Sequence, residues 1–168
     1  MATGRSMYLT RQAGEYLVCA ELCRRGLIAT TFAGNLPGFD IVAVGEGSRI
    51  TTIQVKTISG PGGSWQFDAR NFLEISISNG VQTVKGKTKP ANPDLVYVLV
   101  RLTGQAKDEF YICPSRGLQD LIYRDYKAWL AEKGGRRPRN PKSTHTAVSP
   151  DDLKGYRNKW DIIRRPAG

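Results

Sequence analysis

The run DLVYVLVRL, residues 94–102, most constrains how this chain can fold. Seven of its nine residues are apolar, valine recurs, and no helical spacing organises them. A strand apolar on both sides belongs inside a sheet that is covered on both faces. The neighbouring sequence can supply such a sheet and its covers. LIATTFA (27–33), residues 39–44, residues 49–58 and EFYICP (109–114) read as further strands, with WQF and FLEISIS as shorter ones. GEGS, between the second and third of these, predicts a hairpin. GNLPG (34–38) reads as a turn, SGPGGS (59–64) as a flexible loop, and residues 79–93 mostly as loop.

Helical spacing appears twice. Residues 10–25 carry a stripe of Glu15, Val18, Cys19, Leu22 and Cys23, with Thr10 as predicted N-cap and Gly26 as stop. A second helix is predicted from a Ser115 cap to about Lys133, with Leu118, Leu121, Ile122, Tyr126 and Trp129 on one side. Ser149 and Pro150 predict the start of a short terminal helix. The element order implies an α/β fold: a mixed central sheet flanked by helices, with a basic C-terminal extension. At 168 residues, one domain is expected, with a core over 1–133 and a basic loop and terminal helix over 134–168 packed on it.

The formal net charge of +10 is uneven. Residues 1–100 hold ten Lys/Arg against seven Asp/Glu, whereas residues 101–168 hold fifteen against eight. This excess points to a polyanionic partner, chiefly nucleic acid. No apolar run is long enough to span a membrane, no apolar leader is evident, and three cysteines without framework spacing suit a reducing, cytoplasmic setting. SGPGGS lacks the GK[ST] ending of a phosphate-binding loop, so no nucleotide cofactor is expected.

Four residues carry chemistry. Side chains alternate along a strand, so Gln54 and Lys56 share one face while Ile53 and Val55 share the other. With the hairpin centred near Gly47, Asp40 faces Gln54 across the ladder and Lys56 lies diagonal to it. A carboxylate and an ammonium on a sheet face are costly unless paired or metal-bound. Glu15 opens the packing stripe of the first helix, which can lay it beside Asp40.

The order "GE" on a first helix, then GFDIVA and IQVK, resembles the PD-(D/E)XK nuclease superfamily with its restriction-endonuclease-like fold. The pattern is most similar to archaeal-type Holliday junction resolvases and their bacterial relatives, over residues 14–57. The resemblance implies metal-dependent endonuclease activity on DNA, in repair, recombination or defence, with Mg²⁺ or Mn²⁺ as cofactor and a homodimer as assembly. Asp40 then matches the metal-binding aspartate, and the Val55 carbonyl is a further ligand. Lys56 orients or activates the attacking water, and Glu15 matches the assisting glutamate. Gln54 stands where the family usually has Asp or Glu, so it offers only an amide oxygen.

Two other readings stay open: a DNA-binding or regulatory module that kept the fold and lost catalysis at Gln54, and a protein-interaction domain. Cys19 and Cys23 lack partners for a zinc site, and the single histidine, His145, sits in a polar tail. Arg136, Arg137, Arg139 and Lys142 form a candidate phosphate-holding loop, which Lys85, Lys87 and Lys89 extend.

Overall fold

The computed structural model describes residues 4–32, 38–104 and 107–164. Helix α1 (Gly4–Arg24) buries Gly14, Val18 and Leu22 along one side. It begins six residues before the predicted cap, so Thr10 lies inside it. Its end is a Schellman closure: Leu27 N–H donates to the Leu22 carbonyl and Gly26 N–H to that of Cys23. Gly26 takes a φ of 82°, where a side chain is strained.

The central sheet has five strands: β1 (Ile28–Thr31), β2 (Ile41–Val44), β3 (Ile50–Ser59), β7 (Val96–Leu102) and β8 (Glu109–Pro114), in the order β1-β2-β3-β7-β8. Only β3 and β7 pair in parallel. β2 and β3 form the expected hairpin through a short turn at residues 46–48. The strand end at Ala33 and the turn over residues 34–37 lie outside the described residues.

β7 alternates between two apolar layers, which accounts for its composition. Val96, Val98 and Val100 pack with Val18 and Leu22 of α1 and with Trp160 and Ile163 near the C-terminus. Tyr97 and Leu99 pack with Leu118 and Ile122 of helix α2 (Ser115–Glu132) and with Trp65, Phe67 and Leu73. Those last three belong to the β3–β7 crossover, which contains β4 (Trp65–Asp68), β5 (Leu73–Ser78) and β6 (Val81–Lys87).

Several expectations are corrected. Within residues 79–93, residues 81–87 form the strand β6, which pairs with β5 as an antiparallel ribbon. The basic tail contains a strand, β9 (His145–Val148), paired with β4. Ser115 is the first residue of α2 rather than its cap, a place taken by Pro114. After Ser149 the chain makes a 3-10 turn over residues 151–156, and the short helix α3 (Asp161–Arg164) follows. Ser149 donates its hydroxyl to Asp152 at 2.7 Å. No described helix is long and apolar enough to cross a membrane.

Candidate active site

The regular β2–β3 ladder ends at the Ile41–Ile53 pair, where Asp40 N–H also donates to the Ile53 carbonyl, at 2.8 Å. There the Asp40 carboxylate turns back and accepts the Val55 N–H at 2.8 Å. It satisfies a ladder donor that β2 no longer reaches, so its place is set by the backbone. This puts the Asp40 carboxylate beside the β3 backbone at Val55, on a cleft of about 440 Å³. Asp40, Gln54, Val55 and Lys56 all line that cleft, together with Arg11, Thr57, Ile58, Ser64, Trp65 and Gln66.

Lys56 projects to the α2 side of the sheet, where its Nζ sits 5.0 Å from the Phe67 ring centre. Burial holds its ammonium below the ordinary lysine range. The Asp40 charge opposes that shift and Arg11 adds to it. A cation over an aromatic face, beside a carboxylate, keeps part of the stabilisation lost to desolvation.

α1 lies on the opposite face from Gln54 and Lys56, and this governs Glu15. Gly14 packs so tightly on β3 that an added Cβ would fall 1.9 Å from Thr57 Oγ1. Glu15, with a side chain 14% exposed, accepts from Arg11 Nε at 3.0 Å and is not among the cleft-lining residues. Arg11 is the α1 residue that enters the cleft. Its guanidinium is raised above its usual range by the Glu15 hydrogen bond, with Asp40 contributing. Sequence reasoning missed Arg11, although its i,i+4 spacing to Glu15 was the available signal.

The cleft therefore presents one carboxylate, two neutral amides, two cations and β3 backbone. Among the described residues no group of three or more His, Cys, Asp or Glu stands where it could hold a metal ion. Cys113 is buried and its thiol is pushed up to about 12 by desolvation; Cys19 is raised to about 11 by the same cause. Neither is reactive near neutral pH.

The tail cations are distributed differently. Arg137 stacks on Trp129 at 4.8 Å and donates to the His145 carbonyl at 2.6 Å. Arg136 donates to the Asn79 carbonyl at 3.1 Å. Lys87 pairs with Asp120 at 2.7 Å. Arg139, Lys142, Lys85 and Lys89 are exposed.

No family model matches the chain, and no curated protein sequence does. Among solved structures, the bacterial homing endonuclease I-Ssp6803I is similar, with a TM-score of 0.52 and 15% identity over 94% of this chain and 93% of that one. The fold is nuclease-like: a mixed central sheet between helices, matched over nearly the whole length of both chains.

Proposed function

We propose that the chain is an endonuclease that hydrolyses DNA phosphodiester bonds at the Asp40–Gln54–Lys56 cleft, within the PD-(D/E)XK pattern that its motifs resemble. The supporting observation is the convergence of those three side chains in one cleft, on a fold similar to that of a homing endonuclease. DNA as substrate also agrees with the net charge of +10.

The donor set suits a hard divalent ion. Asp40, Gln54 and the Val55 carbonyl offer oxygen only, which favours Mg²⁺ or Mn²⁺ over softer metals. One carboxylate with neutral oxygens is a sparse set, of the kind Mg²⁺ accepts when the substrate phosphate completes its shell. When bound there, such an ion would polarise the phosphate and acidify a water. The protein's own groups do the rest. Asp40, fixed by Val55 N–H, holds its free oxygen toward the cleft. Lys56 orients the attacking water and, with Arg11, offsets the charge that develops on the phosphate. Glu15 acts through Arg11, whose guanidinium it orients.

The test is incubation with supercoiled, linear and branched DNA and Mg²⁺ or Mn²⁺, beside Asp40→Ala and Lys56→Ala. Cleavage is expected from the parent and lost in both variants; cleavage that survives both substitutions rejects the site. The neutral Gln54 and the engagement of Glu15 by Arg11 favour a second reading, a DNA-binding module without catalysis. Binding that weakens steeply with salt, with no cleavage of any substrate, would select it.

A further inference from the structure

A second cleft, of about 540 Å³, opens beside the first. The glycine loop after β3 divides them: Ser64 and Trp65 line the first, while Gly62 and Gly63 line the second. The far walls are neighbours too, since Trp65 packs edge-on against Tyr111 of the second cleft at 5.5 Å. Arg101 of that cleft pairs in register with Ile58 of the first. Lys56, two residues before Ile58, therefore points to the same side of the sheet as Arg101. Strand spacing and rise put their backbone positions about 8 Å apart.

The second cleft carries surplus positive charge. Glu109 is shared by Arg101 and by Arg157, the latter at 3.0 Å, so one carboxylate faces two guanidiniums. Tyr111 spends its hydroxyl on the same carboxylate. Arg101 Nε is buried with no hydrogen-bond acceptor. Arg157 lines the cleft and its side chain is 54% exposed. Lys154, 76% exposed, adds a cation paired with the similarly open Asp151 at 2.9 Å. A surface pair of that kind holds its lysine weakly. Guanidiniums match phosphate oxygens in geometry, and Gly62 and Gly63 add no side chain of their own to the rim.

We propose that this second cleft is a subsite for the DNA backbone, holding phosphates of the strand that lies across the Asp40–Lys56 cleft, with Arg157, Lys154 and Arg101 as its partners. The proposal rests on the reading of this chain as DNA-binding and locates where flanking phosphates are held. The sequence placed that task on the 136–142 loop. Two cations of that loop already have protein partners.

The experiment is fluorescence anisotropy of a short labelled duplex over a salt series, with Lys154→Gln, Arg157→Gln, Arg157→Lys, Lys56→Ala and, as control, Arg124→Gln on the outside of α2. Each lost phosphate contact lowers the slope of log K against log salt by about 0.9. Lys154→Gln and Arg157→Gln are each expected to show that loss, Arg157→Lys to regain most of it, and Arg124→Gln to show none. Lys154→Gln keeps the test valid should Arg157→Gln loosen the terminal segment. A slope lowered by Lys56→Ala and unmoved by Lys154→Gln and Arg157→Gln overturns the subsite and leaves DNA binding standing. Absence of salt-dependent binding by the parent protein overturns both.

Discussion

Gly14→Ala should displace the helix that brings Arg11 to the cleft. The new Cβ would stand 1.9 Å from Thr57 Oγ1 and 2.9 Å from Thr57 Cβ and Cγ2. Bringing the closest contact to a tolerable 3.0 Å needs about 1.1 Å of separation between α1 and β3. Overpacking of a close core contact costs about 1–3 kcal/mol, and this overlap belongs at the upper end. Alanine's helix propensity returns about 1 kcal/mol. The net loss is then about 2 kcal/mol, or a Tm lower by about 4–8 °C for a chain of this size. Thr57 Oγ1 is buried without a hydrogen-bond partner, so Thr57→Ala alone should be nearly neutral. Combined with Gly14→Ala it removes the two atoms that can be deleted without touching the backbone. It should restore most of the lost stability, leaving a residue from the 2.9 Å Cβ contact. Thermal melts of the four proteins give the coupling directly, expected at about 1–2 kcal/mol. A Gly14→Ala protein as stable as its parent, or strict additivity, would refute the close approach.

Three further outcomes are expected. Gln54→Glu adds a charge beside Asp40 and should tighten Mn²⁺ binding by calorimetry, since a unit charge near a divalent ion contributes on the order of several kcal/mol before desolvation; unchanged affinity removes Gln54 as a ligand. Because the folded chain holds Lys56 below the ordinary lysine range, the unfolded chain binds that proton more tightly between the two pKa values. The parent should therefore gain stability relative to Lys56→Met as pH rises through that window and lose it as pH falls through the folded value; a pH-independent difference refutes the desolvated ammonium. Arg137→Ala gives up the bond to the His145 carbonyl and the Trp129 stack, and should lower stability by about 2 kcal/mol in denaturant melts. Unchanged stability with weakened DNA binding would return Arg137 to the phosphate-holding role.

The sheet was legible because its signals are local. GEGS announces the β2–β3 hairpin, and the apolar run at 94–102 announces a doubly covered strand. β6 was hidden because its buried residue is polar. Gln82 donates to the carbonyls of Pro141 and Ser143 and accepts from Tyr126, so its amide does the work an apolar side chain would have advertised. The same bonds tie the basic tail to the body. Residues 4–9 of α1 are exposed, so no apolar stripe marked the first turns of the helix. In the cleft, strand alternation sufficed for Asp40, Gln54 and Lys56. It could not say which face α1 covers, and that choice puts Arg11 in the cleft and Glu15 behind it.

The parallel pairing of β3 with β7 obliges the chain to leave the sheet and travel some 36 residues before it returns. All of that excursion lies on the Lys56 side, where its first strand supplies Trp65, Gln66 and Phe67. The strand that carries Gln54 and Lys56 and the strand that borders them are thus linked along the chain but paired in different sheets. Change in the excursion can reshape the rim, and with it the choice of substrate, while the ladder that fixes Asp40 against Val55 stays as it is.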